Sequence, residues 1–171
     1  MSAIVIDTNV LLVADGQAPH MSGACVQECL NRLEQVKSSE TIVIDDGWLI
    51  LGEYHNKLQP NGAPSYGSAF LKWLLQVQGV PKHVSLVKIS LQDKAQTRFA
   101  EFPNDKALEA QFDPSDRKFV AVANAHPDKP PVLQAADSKW LAWQDKLLTH
   151  GIRLEILCRC ELQAIHARKV K

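Results

Sequence analysis

Ala3-Ile4-Val5-Ile6-Asp7-Thr8-Asn9-Val10-Leu11 is the stretch from which the fold can be read. Three β-branched residues run without a polar interruption and stop at a carboxylate. An unbroken apolar run of this length fits a strand covered on both faces, because alternate side chains point to opposite sides of a sheet. The pattern recurs downstream. Thr41-Ile42-Val43-Ile44 runs into Asp45, Val84 to Ile89 is a third strand candidate, Val132-Leu133-Gln134-Ala135-Ala136 runs into Asp137, and Ile152 to Leu157 is the last.

Helical periodicity fills the gaps between these runs. Ser22 to Lys37 places Cys25, Cys29, Leu30, Leu33 and Val36 on one stripe. Asp46 fits the N-cap of a helix reaching about Leu58, Pro60-Asn61-Gly62 breaks the chain, and Ser65 to Val77 forms another helix. The segment from Ser90 to Phe112 is ambiguous, with helical pieces. Asp113-Pro114-Ser115-Asp116 opens a helix that ends near Ala125, before Pro127. Ser138 to Thr149 is helical with Gly151 at its C′ position, and a basic helical tail closes the chain. Strands alternating with helices predict an α/β fold, with a mainly parallel central sheet. Ligands on such sheets bind beyond the carboxyl ends of the strands.

The chain of 171 residues fits one domain, and its 46% hydrophobic and 22% charged residues exclude disorder. Lys+Arg and Asp+Glu both number 19, so binding to nucleic acid by bulk positive charge is excluded and any such contact needs a local patch. No apolar run approaches the roughly 18 residues of a membrane helix. The start lacks a basic segment and Asp7 interrupts its apolar run, so it does not read as a signal peptide, and the expected compartment is the cytoplasm. There Cys25, Cys29, Cys158 and Cys160 are expected as reduced thiols. Their spacing matches no common zinc finger and reads as small buried apolar side chains.

Asp7 and Asp137 each follow a strand, which puts a carboxylate at the carboxyl edge of the sheet; Asp137 also fits a helix N-cap. Glu53 lies one helical turn from Leu49 and Ile50. On an apolar face an unpaired Glu costs several kcal/mol, so it needs a cation or a buried donor. Asp116 heads a stripe with Val120 and Ala123, though with Asp113 and Pro114 it also resembles a capping arrangement. Taken together these four carboxylates offer hard oxygen ligands suited to Mg²⁺ or Mn²⁺.

The chain resembles the PIN-domain nucleases, in particular the bacterial stand-alone PIN proteins. Residues Ile4 to Leu11 are similar to the family's first strand and first acidic residue. Leu51-Gly52-Glu53-Tyr54-His55-Asn56-Lys57-Leu58 is similar to the helix with the second, Asp113-Pro114-Ser115-Asp116-Arg117-Lys118-Phe119-Val120 to the third motif, and Ala136-Asp137-Ser138-Lys139-Trp140-Leu141 to the fourth. Ala136 departs from the small polar residues usual there, and 59–65 and 92–112 fit less well. The resemblance implies a three-layer α/β/α sandwich and metal-dependent phosphodiester hydrolysis. Asp7, Glu53, Asp116 and Asp137 would hold Mg²⁺ or Mn²⁺, with Thr8, Asn9 and Asp113 supporting them and Asp46 in reserve. Lys57, Arg117, Lys118 and Lys139, with His55, are the candidates for phosphate contact. RNA is the expected substrate ahead of DNA, and a homodimer or an antitoxin protein are the protein partners the resemblance allows.

Two rival readings stand beside this one. A haloacid-dehalogenase-type phosphatase also begins with a strand ending in Asp, but it needs a second Asp where this chain has Asn9. A PIN fold that binds RNA or protein without cutting is the other. Trp48, Trp73, Trp140 and Trp143 read as core or interface residues rather than base-stacking platforms.

Overall fold

The computed structural model describes residues 1–59 and 62–170; Pro60 and Asn61 of the expected breaker, and Lys171 of the tail, lie outside it. Five strands, β1 (Ser2–Ile6), β2 (Glu40–Asp45), β3 (Val84–Val87), β4 (Val132–Gln134) and β5 (Leu154–Ile156), form one sheet in the order β3-β2-β1-β4-β5. Every pairing is parallel. Ile4, Val5 and Ile6 are all buried, as are Ile42, Val43 and Ile44. Consecutive strand residues face opposite sides, so burial of all three means that both faces are covered.

The helices are α1 (Thr8–Ala14), α2 (Gly23–Ser39), α3 (Leu49–Leu58), α4 (Tyr66–Val77), α5 (Lys106–Gln111), α6 (Arg117–Ala125), α7 (Lys139–Thr149) and α8 (Arg159–Lys169). They flank the sheet as a three-layer α/β/α sandwich. Local chemistry sets their ends. Ser22 accepts the Cys25 N–H at the start of α2, and Ser65 with Ser68 forms a reciprocal cap at the start of α4. After α7, Gly151 takes φ +78°, its N–H donates to the Leu148 carbonyl, and the Ile152 N–H donates to Leu147; this paired closure is the Schellman motif.

Two expectations are corrected. The residue that caps α3 is Asp45, not Asp46: its carboxylate accepts the N–H groups of Leu49 at 2.8 Å and Ile50 at 2.9 Å, while Asp46 is exposed. Asp45 ends its strand pointing at the orphan donors of the following helix, and a buried carboxylate satisfies them better than an exposed one. The cysteines are not four reduced thiols. Cys25 and Cys158 form a disulfide that ties α2 to the start of α8, Cys160 is exposed, and only Cys29 is a buried free thiol. Folding brings residues 133 apart in sequence together, a proximity that spacing along the chain cannot reveal. The sulfurs of Cys25, Cys29 and Cys158 lie within 4.8 Å of one another, but the disulfide occupies two of them. Burial, and after it the charge of Glu28, pushes the Cys29 thiol up to about 12. No described helix is long and apolar enough to cross a membrane.

Candidate functional site

The chain runs outward from β1 through β2 to β3, then returns to the other side of β1 to build β4 and β5. The sheet therefore has its topological switch between β1 and β4, where loops leave in opposite directions and open a crevice. Asp7 follows β1 and Asp137 lies three residues past the end of β4, so both flank that crevice. Asn9 locks the two strand ends together: its side-chain oxygen accepts the Ala135 N–H at 2.9 Å, and its amide approaches Gln134 Oε1 at 3.4 Å.

Asp7 is 4% exposed. Its Oδ1 accepts the Asn9 N–H at 3.1 Å, and its buried Oδ2 has no hydrogen-bond partner. A buried carboxylate oxygen without a partner is costly and calls for an explanation. Burial raises the Asp7 carboxyl well above its ordinary range. The charge of Asp116 raises it further and the Asn9 N–H opposes this, with smaller upward contributions from Glu53 and Asp137. Oxygens of Asp113, Asp116 and Asp137 lie within 4.8 Å of one another, a group that includes neither Asp7 nor Glu53. Burial, then the charges of Asp137 and Asp113, pushes Asp116 up to about 7. The 3₁₀ turn Pro114–Asp116 delivers Asp116 to this position, and neither Asp113 nor Asp116 makes a side-chain cap hydrogen bond. Asp137 does accept the Lys139 N–H at 3.0 Å, so one of its oxygens steadies the entry to α7.

Glu53 projects from α3, which is anchored next to it by Tyr54, whose buried hydroxyl donates to the Ile6 carbonyl at the end of β1. The expected partners of Glu53 are both present. The Thr8 hydroxyl donates to one oxygen, and the Lys118 ammonium meets the other at 3.0 Å. Thr8 thus orients Glu53. The structure brings Asp113 into the carboxylate set itself, a contact that its place three residues before Asp116 only hints at.

The basic candidates divide by environment. Lys118 is buried against Glu53 and the Ser115 carbonyl. Arg117 donates to the carbonyls of Thr97 at 3.2 Å and Glu109 at 2.8 Å, holding the connection between β3 and α5 against α6. Lys139 is exposed and pairs with Asp113 at 2.7 Å. Lys57 and His55 are exposed on α3, and Lys57 borders a recess beside Glu53. Trp140 and Trp143 are core residues, stacked around Phe112, whereas Trp48 is exposed on the recess rim.

The structure therefore brings Asp113, Asp116 and Asp137 together, with Asp7 and Glu53 outside that close group but near enough for their charges to act on it, and it sets Lys139 against Asp113 and Lys118 against Glu53. Such an excess of hard oxygen donors fits a divalent cation of the Mg²⁺ or Mn²⁺ class. No family model matches the chain, and neither a curated protein nor a solved structure gives a match.

Proposed function

We propose that the chain is a metal-dependent nuclease of the PIN type that hydrolyses phosphodiester bonds in single-stranded RNA. The observation that carries this reading is the unpartnered Oδ2 of Asp7, buried at the switch point of the sheet and within electrostatic reach of Glu53, Asp116 and Asp137. An oxygen in that position, among like charges, is accounted for by a cation. Asp113, Asp116 and Asp137, whose oxygens lie within 4.8 Å of one another, would hold it together with Asp7, and Glu53 adds to the negative field. A divalent ion bound there supplies Lewis-acid charge to a phosphate oxygen and lowers the pKa of a water.

The remaining residues act on this frame. Asn9 fixes the Asp7 carboxylate relative to β4, Thr8 and Lys118 hold the orientation of Glu53, and Lys57 offers a positive charge for a phosphate in the recess that Glu53 borders. RNA rather than DNA follows from the family resemblance.

The experiment is cleavage of a labelled single-stranded RNA with Mn²⁺, with Mg²⁺ and with EDTA, by wild type and by Asp7→Asn. The expected result is cutting with either metal, none in EDTA, and loss of most of the rate in Asp7→Asn with the circular dichroism spectrum unchanged. Cutting that persists in EDTA or in the variant contradicts the reading. A second reading, a silent PIN-like binding module, is favoured by one contact: the Lys118 ammonium already neutralises Glu53. RNA bound but left intact in both metals is its signature.

A further inference from the structure

The turn from β2 into α3 contains two choices that folding does not explain. Trp48 takes φ +62° and ψ +25°, the left-handed region, and remains 44% exposed. A bulky side chain there is strained, and such strain concentrates at functional sites. Gly at this position would relieve it. Gly52 lies inside α3, where glycine weakens a helix relative to alanine. A Cβ at Gly52 would meet nothing within 4 Å outside its own helical surroundings, so packing does not demand the glycine. Trp48 immediately precedes α3 and Gly52 lies within it, and both line one recess, so a strained, exposed indole and a helix position without a side chain border the same space.

The gap left at Gly52 opens into this recess, of about 520 Å³. Trp48, Gly52, Glu53 and Lys57 lie along its α3 side, with Gln96 and Lys118 among the residues opposite or beneath. A flat aromatic face and a cation for a phosphate match the chemistry by which unpaired bases are held.

We propose that Trp48 and Gly52 form a stacking shelf for one unpaired base of single-stranded nucleic acid, which runs past Lys57 toward the carboxylate cluster. The substrate class rests on the nuclease reading above; the shelf itself is a binding site and needs no metal. An unpaired base is required because only it presents a free face to the indole. Base–aromatic stacking of about 1–3 kcal/mol corresponds to roughly 5- to 150-fold in affinity.

The test is binding of oligouridylate and oligothymidylate 12-mers in EDTA, where cutting does not interfere. It is read by anisotropy of the labelled strand and by tryptophan fluorescence. Trp48→Gly is expected to weaken binding about 5- to 150-fold while melting no lower than wild type. Trp48→Phe should retain most of the affinity, and Gly52→Leu, which fills the gap, should weaken binding while keeping the helix. Trp140 and Trp143 are buried, and the half-buried Trp73 packs against Phe70 and His83 and does not line the recess, so quenching by the oligonucleotide should disappear in Trp48→Phe. Binding of RNA alone or of both strands supports the shelf. Equal affinity of Trp48→Gly, Gly52→Leu and wild type overturns it, as does duplex bound as tightly as single strand, or no binding of either oligonucleotide. Cleavage with Mn²⁺ that ignores both substitutions removes the shelf and leaves the nuclease reading. Stacking without any cleavage does the reverse.

Discussion

Asp116 shows how the carboxylate cluster by itself acts on stability. Its carboxyl is pushed up to about 7 by burial and by Asp137 and Asp113, against an ordinary value of 3.8. A carboxyl whose folded pKa is raised contributes stability that is fully present below its unfolded pKa and is lost as pH rises through the folded one. Metal-free protein should therefore melt higher as pH falls from about 8 toward about 5. Asp7 is shifted in the same direction. Glu34, Asp93 and Asp105 are shifted the opposite way, so their stabilisation is lost only below their ordinary values of 4.5, 3.8 and 3.8, outside this window. Thermal melts in EDTA across the pH range check this, with Asp116→Asn expected to flatten the slope. A wild-type melting point that falls between pH 8 and pH 5 contradicts it. Asp7, Glu53 and Asp116 could be singled out in the sequence because each carboxylate stands beside an apolar stretch; that Asp7 also caps α1, by accepting the Asn9 N–H, could not, because the run after it shows no clear helix start. The pairing of Lys118 with Glu53 was not legible either, because it joins α6 to α3 across 65 positions.

At the scale of elements, sequence reading located strands and most helices well, because uninterrupted β-branched runs and helical stripes report burial directly. It erred where two neighbouring residues could do the same job. Asp45 and Asp46 both precede α3, and only the strand's pleat decides which carboxylate turns inward. The consequence is measurable. Asp45→Ala leaves the N–H groups of Leu49 and Ile50 without their acceptor and should cost about 1–2 kcal/mol, whereas Asp46→Ala should change stability by less than about 0.5 kcal/mol. Urea unfolding of the two variants tests the assignment, and equal losses would refute it. The connection from β3 to α5 was ambiguous for a different reason. Its order comes from polar side chains bonding backbone, such as Asp93 to Thr97 and Arg98, with Phe99 and Phe102 buried as anchors. Such structure has no period to read.

Over the whole molecule, the disulfide is the feature least visible beforehand. Cys25–Cys158 closes a loop spanning most of the chain, with a sequence separation of 133. The chain-entropy treatment gives about 5 kcal/mol for a loop of this length, and measured bridges typically give about 2–4 kcal/mol. Reduction should then lower the melting temperature by roughly 5–15 °C. Cys25→Ser should melt at the reduced wild-type temperature and ignore the reductant. A wild type indifferent to reductant would show that the bridge carries no such weight. The sheet order also lies at this scale. Parallel strands were expected from their composition, but the switch between β1 and β4, which makes a crevice out of separate strand ends, emerges only from the assembled topology.

The central claim is that carboxylates from separate elements hold one divalent site at that switch. Thermal melting of wild type and Asp116→Asn, each in EDTA and in saturating Mn²⁺, tests it without needing a substrate. At a hundredfold excess over its dissociation constant, Mn²⁺ adds about 2.7 kcal/mol of stability. For a chain of this size that is a rise of roughly 5–10 °C. Wild type should show that rise. Asp116→Asn should melt at or above wild type in EDTA, because one repelling charge is gone, and should lose most of the Mn²⁺ shift. If Asp116→Asn instead melts lower in EDTA and Mn²⁺ still raises it in full, Asp116 serves the fold alone and the shared metal site is contradicted.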